Sequence, residues 1–193
     1  MPLPLRLGHV VGATPDKWAR AWRERRPEGL ELIGLTESDQ ETRLRAGEVD
    51  MALVRLPVDR TGLHCIPLYD ERAVVVAGSD HFVAAAEGEV CLDDLADEQL
   101  VVPHRSGWTP SAAQLDWPPM SEREAVETVA AGTGVALLPM SVARLHHRKD
   151  TVHRVVADLE PTTIALAWLV TRDGEDTQTF VGVVRGRTVN SSR

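Results

Sequence analysis

Short apolar runs alternate with helix-like apolar spacings along the first part of the chain. Apolar runs at residues 5–11, 30–35 and 51–54 predict three strands. Between the first two runs, Trp18 and Trp22 lie four positions apart, which places both indoles on one face of a helix and in the core. The third run is apolar at every position, which is typical of a central strand in a parallel sheet. The pattern is the strand–helix–strand–helix–strand order of a doubly wound α/β fold.

Polar residues at the helix ends refine these boundaries. Thr14 is placed to cap the first helix, Pro15 suits its first position, and Pro27 is expected to stop it. Residues 38–41 have the spacing of a capping box, in which a serine oxygen and a glutamate carboxylate each bind a free backbone amide. Residues 121–124 repeat that spacing. The sequence therefore predicts a helix start at each box.

The remainder of the chain has a less regular pattern. Further strands are predicted at residues 64–68, 72–77, 100–103, 135–138, 152–156 and 164–170, and helical segments at 92–95, 121–131, 140–146 and 177–185. Residues 104–120 are rich in proline, serine and tryptophan and lack any period, which predicts a loop. The tail from Thr188 is expected to fray.

Composition narrows the class of protein. With 193 residues, 43% hydrophobic and 26% charged, the chain is expected to fold into one domain or two small lobes. A formal net charge of −8 argues against a surface devoted to nucleic acid, because phosphate binding needs a basic face. The sequence has no apolar run of the roughly 20 residues that cross a bilayer, and its start does not resemble a signal peptide. A cytoplasmic protein is expected.

Other patterns point only weakly to chemistry. The glycines at 132–134 resemble a phosphate loop, but they follow a helix and precede a strand, which is the reverse of the required order. His146 and His147 lie among arginine and lysine residues, which favours a solvated basic face over a metal or DNA site. Cys65 and Cys91 have apolar neighbours and no metal-ligand spacing, so we expect buried structural thiols and not a redox pair.

Arg55 is the strongest candidate for ligand binding. It follows the apolar run at 51–54, and ligands collect beyond the carboxyl ends of strands in open parallel sheets. A guanidinium group there can bind a carboxylate through two hydrogen bonds. Thr14, at a helix start, adds free amides and a positive dipole end that suit an anion. The alternative is an Arg55 that pairs with Glu37 or Asp59, and the residues alone leave both interpretations open.

Two long runs, LRAGEVDMAL at residues 44–53 and VAAGTGVALLP at 129–139, resemble the effector-binding domain of LysR-type transcriptional regulators. Shorter matches keep the family's order and extend the resemblance over most of residues 5–175, at 5–8, 26–27, 30–32, 62–63, 67–71, 80–81 and 92–95. The resemblance implies an α/β fold of the type II periplasmic-binding-protein-like class, in which two lobes enclose a ligand cleft. Lobe one would comprise residues 1–79 and 160–193, and lobe two residues 80–159.

The resemblance also implies a function. Members of this family sense small molecules, often organic anions, form dimers and pass the signal to an N-terminal winged helix-turn-helix that binds DNA. No cofactor, metal or catalytic residue is implied. Carried over by position, the effector-binding residues would be Gly12, Thr14, Glu37, Ser38, Arg55, Pro103, His104, Ser106 and Thr133.

Three departures from the family pattern qualify these expectations. The DNA-binding segment is missing, so the chain is either part of a longer protein or a free-standing sensor. The stretch between Pro103 and Glu124 is shorter than usual by a strand–helix unit, which predicts a small second lobe. The first helix starts late, and Glu37 stands where a hydroxyl is common, so an acid would neutralise Arg55. The alternatives are a solute-binding protein, or an enzyme that uses His104 or Glu37 as its base.

Overall fold

The computed structural model describes residues 3–26 and 28–186. The chain divides into two compact units: unit 1 runs up to Tyr69 and resumes at Thr163, and unit 2 is Asp70–Thr162. The boundary expected after residue 79 lies ten residues too late, because a strand that begins at Ala73 pairs within unit 2. The stop predicted at Pro27 and the tail from Thr188 lie outside the described residues.

The elements follow the predicted order. The strands of the described chain are β1 (Leu5–Val10), β2 (Leu30–Leu35), β3 (Met51–Arg55), β4 (Leu63–Glu71), β5 (Ala73–Gly78), β6 (Ala136–Pro139), β7 (Thr151–Val155) and β8 (Thr162–Leu169). Its α-helices are α1 (Asp16–Arg23), α2 (Gln40–Arg45), α3 (Phe82–Ala85), α4 (Glu122–Ala130), α5 (Met140–Leu145) and α6 (Glu175–Val184). The segments Asp93–Leu95 and Val170–Arg172 are single 3-10 turns. Among the residues described, no helix combines the length and apolar character that crossing a membrane requires.

Unit 1 contains a five-stranded sheet in the order β2-β1-β3-β8-β4. Strand β1 pairs in parallel with β2 and β3, whereas β8 runs antiparallel to β3 with Ala167 opposite Ala52. The expectation of a central β3 is confirmed, but the sheet is mixed because β8 returns from a distant part of the chain. Trp18 and Trp22 are buried as predicted, and the ring of Trp22 meets Phe180 of α6 edge-on at 5.6 Å.

Unit 2 contains a smaller sheet in the order β6-β5-β7, with both outer strands antiparallel to β5. Its core includes Val75, Leu95 and Val135, which are completely buried. The strand predicted at 100–103 is reduced to one bridge between Leu100 and Val135, so that prediction was wrong in extent. Residues 104–120 contain no helix or strand, as their composition predicted.

One of the two predicted capping boxes forms. At the start of α4, the Ser121 hydroxyl accepts from the Glu124 amide at 3.3 Å, and the Glu124 carboxylate accepts from the Ser121 amide at 2.8 Å. The box predicted at Ser38 is wrong: α2 begins one residue later, after Asp39, whose carboxylate accepts from the Thr36 amide instead at 2.8 Å. The same spacing therefore gives a cap in one place and a tight turn in the other.

The cap predicted at Thr14 is also wrong. Helix α1 begins at Asp16, so Pro15 occupies the residue before the helix, and no side chain bonds to the free amides there. Proline fixes the backbone at this point, and the preceding residue is turned away from the helix. Thr14 is exposed.

Candidate functional site

Three parallel strands of unit 1 end at the same side of their sheet. Because β1, β2 and β3 run parallel, the residues that follow them meet at one end. Arg55 is the last residue of β3, Glu37 lies in the connection after β2, and Gly12 lies in the turn after β1. We call Gly12, Thr14, Glu37, Ser38 and Arg55 together the carboxyl-end site.

Arg55 joins the connections that follow the neighbouring strands. Its guanidinium Nε lies 2.7 Å from Glu37 Oε1, and its Nη2 donates to the Val11 carbonyl at 3.1 Å. The Arg55 side chain has no exposed surface, whereas the Glu37 side chain keeps 34% of its surface exposed. Of the two sequence interpretations, the structure shows the Glu37 pair. Asp59 lies 3.4 Å from Arg45 instead.

Gln40 fixes the backbone of Arg55. The Gln40 side-chain oxygen accepts from the Arg55 amide at 2.8 Å, and the Gln40 side-chain nitrogen donates to the Arg55 carbonyl at 3.1 Å. Gln40 is 3% exposed, so both of these bonds are shielded from water. Sequence reasoning missed this residue because it lay inside the expected capping box. The available signal for Gln40 was its polar side chain at the first position of a helix that packs beside the apolar run of strand β3.

The remaining predicted residues of unit 1 are less constrained. Gly12 has a φ of +87°, a backbone conformation that glycine adopts without strain, and it turns the chain after β1. Thr14 and Ser38 are exposed. The Ser38 hydroxyl lies 2.9 Å from the Thr36 hydroxyl, so the two form a small polar surface beside Glu37.

The predicted residues of unit 2 lie in loops. His104 Nδ1 is 2.9 Å from the Ser106 hydroxyl and accepts from the Ser106 amide at 3.3 Å. Burial, and then the charge of Arg105, lower the pKa of His104 below its usual value, which favours the neutral ring. Pro103 and Thr133 are exposed.

The glycine-rich turn at 132–134 has a structural role. It connects α4 to β6, and the next residue, Val135, donates to the Gln99 carbonyl at 2.7 Å. A Cβ on Gly134 would overlap that carbonyl oxygen, and the φ of Gly134 is +72°. The close approach of the backbone at Gly134 to that at Gln99 therefore explains why a glycine lies here. The helix-to-strand order of the flanking elements had already argued against a phosphate loop.

Other chemistry-bearing residues are dispersed. The expected burial of Cys91 is wrong, since it is exposed, and Cys65 is half-buried. An open cavity in unit 2 is lined by Arg123, Glu127, Leu145, His146, His147 and Arg148. Its arginines are held by acids: Arg123 by Glu127 at 3.1 Å and Arg148 by Asp150 at 2.8 Å. Within the described residues no cluster of three or more histidine, cysteine or acidic side chains could hold a metal.

Open α/β sheets bind ligands beyond the carboxyl ends of their parallel strands, which is where Gly12, Glu37 and Arg55 lie. The family model of the LysR substrate binding domain matches residues 16–188. The chain therefore belongs to the family of LysR substrate binding domains.

Similar proteins agree with this family. A "Probable hydrogen peroxide-inducible genes activator" of Mycobacterium avium is 35% identical over 161 residues, which cover 72% of this chain and 50% of that protein. The "HTH-type transcriptional regulator MetR" of Escherichia coli is 29% identical over 154 residues, which cover 72% of this chain and 46% of that protein. The chain spans about half the length of these curated relatives.

Solved structures share the fold at low sequence identity. The effector-binding domain of a BenM variant superposes with a TM-score of 0.79 at 20% identity, over 98% of this chain and 96% of that one. The reduced form of the OxyR regulatory domain from Pseudomonas aeruginosa gives 0.73 at 21% identity, over 96% of each chain. The predicted fold class, α/β of the type II periplasmic-binding-protein-like kind, is confirmed.

Proposed function

We propose that the carboxyl-end site binds the small-molecule effector of this regulator. The observation that carries the proposal is the contact of the buried Arg55 side chain with Glu37 and with the Val11 carbonyl, which joins two connections where three strands end. Such a network fixes side chains at the point where open α/β sheets bind ligands. The candidates in unit 2, carried over from the family resemblance, are Pro103, His104, Ser106 and Thr133.

Thermal unfolding against a metabolite panel tests this proposal. A ligand at 100 times its dissociation constant stabilises the native state by about 2.7 kcal/mol, which raises the Tm of a protein of this size by roughly 5–11 °C. The panel contains organic acids, amines and neutral metabolites. An upward shift with at least one compound, reduced in Ser38→Ala or Thr14→Ala, supports the assigned site. If no compound in any class shifts the Tm, effector binding by this chain is refuted.

The setting of the domain is also part of the proposal. In a full-length regulator a winged helix-turn-helix would supply DNA binding, and we propose a cytoplasmic homodimer with no membrane partner. The similarity to transcription regulators supports these assignments. Light scattering after size exclusion should give twice the chain mass of 21.2 kDa. A monomer across the micromolar range would contradict the dimer.

An enzyme on this scaffold is the first alternative. His104 and Ser106 are close enough to suggest a base and a nucleophile. However, His104 Nδ1 also accepts a hydrogen bond from the backbone amide of Ser106 in the same turn. No acidic side chain among the described residues contacts His104 to orient it. We therefore propose binding without turnover. Mass spectrometry should recover any bound compound unchanged after prolonged incubation, and a consumed ligand would contradict this.

A redox sensor is the second alternative, which the names of two mycobacterial relatives suggest. Reactive thiols need a lowered pKa and an electropositive setting. Burial raises the pKa of the Cys65 thiol. Desolvation, then the charges of Asp158 and Asp94, raise the pKa of Cys91. We propose that neither thiol senses peroxide. Alkylation at neutral pH should be no faster than for an unperturbed cysteine, and rapid loss of either thiol in micromolar peroxide would overturn this.

A further inference from the structure

We propose that the effector presents an amine to Glu37, and not a carboxylate to Arg55. The inference rests on the proposed function, since it names the chemical class that the carboxyl-end site would take. Position alone suggested the opposite class, because an arginine at the end of a strand suits an organic anion. The geometry reverses that expectation.

The guanidinium of Arg55 is enclosed. Its side chain has no exposed surface, Nε lies 2.7 Å from Glu37 Oε1, and Nη2 donates to the Val11 carbonyl at 3.1 Å. Gln40 holds the backbone of Arg55 through two hydrogen bonds. A carboxylate could reach the guanidinium only by displacing Glu37 and separating a pair that is shielded from water on one side.

The outward-facing group of the pair is the acid. The Glu37 side chain is 34% exposed whereas that of Arg55 has no exposed surface, so Glu37 is the member of the pair that solvent, and an arriving ligand, can reach. An ammonium group can form a short, charge-assisted hydrogen bond to such an oxygen. The hydroxyls of Thr36 and Ser38, 2.9 Å apart and exposed, can accept hydrogen bonds from the same donor.

The surrounding charge has the same sign. The connections after β1, β2 and β3, residues 11–15, 36–39 and 56–62, together with the first helical residue of α1, carry four acids and one arginine, Arg60. Those acids are Asp16, Glu37, Asp39 and Asp59. Asp16 lies in the first turn of α1, where its charge offsets the helix dipole that would otherwise attract an anion.

Two cations on the adjacent helices, Lys17 of α1 and Arg43 of α2, are already engaged. Lys17 Nζ lies 4.6 Å from the centre of the Trp18 ring. Arg43 binds the Glu48 carboxylate at 2.8 Å and the Gly34 carbonyl at 3.0 Å. Lys17 and Arg43 are therefore held by other partners, and acids outnumber arginines by four to one in the connections around the carboxyl-end site.

Compounds matched in carbon skeleton but different in charge test the proposal. The probes are benzylamine, benzyl alcohol and benzoate, together with putrescine and succinate, titrated calorimetrically and by Tm into the whole chain. The variant is Glu37→Gln, which keeps an oxygen acceptor for Arg55 and removes the negative charge. The control is Glu31→Gln, an exposed acid of β2 that changes the net charge of unit 1 equally.

We expect an amine of the series to bind with at least about tenfold higher affinity than its matched acid, and to lose that preference in Glu37→Gln but not in Glu31→Gln. Preferential binding of benzoate or succinate would overturn the amine inference and leave the proposed effector site standing. Equal binding of benzyl alcohol and benzylamine would overturn it in the same way. If none of the five probes binds to either protein, the amine inference fails. Failure of the wider metabolite panel as well would refute the proposed function.

Discussion

Removal of Glu37 should destabilise the protein more than removal of both members of its pair. In Glu37→Ala the guanidinium of Arg55, which has no exposed surface, stays in place without its carboxylate. Removing one partner of a buried ion pair costs about 3–5 kcal/mol, because an uncompensated charge remains out of water. Glu37 itself is 34% exposed, so water already reduces the value of the intact pair, and we expect about 3 kcal/mol.

The double variant Glu37→Ala/Arg55→Met removes that charge. Methionine fills most of the volume of the arginine stem. Loss of the hydrogen bond from Nη2 to the Val11 carbonyl lowers the free energy of unfolding by about 1 kcal/mol. We therefore expect the double variant to be more stable than Glu37→Ala alone by about 1–2 kcal/mol. The sign is the informative quantity, since two independent stabilising residues would make the double variant the least stable protein.

Urea unfolding followed by circular dichroism measures these differences. The m-value should be unchanged, so the change in midpoint reports stability. The expected 3 kcal/mol for Glu37→Ala corresponds to a Tm lower by roughly 6–12 °C. A Glu37→Ala protein within about 1 kcal/mol of the parent would refute the assignment of a buried, mutually dependent pair. A double variant less stable than Glu37→Ala would do the same.

Three further predictions concern other local structures. Ser121→Ala should lower the free energy of unfolding by about 1 kcal/mol, whereas Ser38→Ala, which removes no helix cap, should cost less than half of that. Gly134→Ala should cost at least about 2 kcal/mol, because its Cβ would overlap a backbone carbonyl, and Gly132→Ala, with open space around it, only about 1 kcal/mol. Burial alone would raise the pKa of Asp50, but hydrogen bonds from two arginines outweigh it and lower the pKa. The stabilisation that the ionised Asp50 carboxylate provides is therefore present above about pH 4 and lost as the pH falls. The free energy of unfolding of Asp50→Asn should accordingly fall less steeply with acid than that of the parent protein. Urea unfolding midpoints check all three predictions, with the Asp50→Asn protein and its parent measured across a range of pH. Equal losses of stability in the two serine variants or in the two glycine variants would contradict the first two predictions, and parallel pH curves for Asp50→Asn and its parent would contradict the third.

The family and most secondary structure follow from the sequence alone. Apolar runs and the four-residue spacing of Trp18 and Trp22 reflect burial, so the bounds of β1, β2 and β3 and the start of α1 were predicted within a residue. The runs at 44–53 and 129–139 carried the family resemblance, and the glycines at 132–134 marked the connection from a helix to a strand. These features depend on neighbours along the chain, and the chain displays them directly.

Only the tertiary structure decided which polar residues act together. Ser38 and Ser121 carry the same local spacing, yet Ser121 caps a helix and Ser38 does not, because Thr36 and Asp39 bond to each other and α2 begins one residue later than the spacing predicts. The boundary near Tyr69 depends on strand pairing between distant segments. Arg55 is the clearest instance: its position predicted a ligand contact, but its burial and its partner Glu37 are set by how three strand ends meet. The sequence shows where along the chain a charged residue lies, whereas the exposure of that residue to solvent depends on contacts between residues that are far apart in the chain.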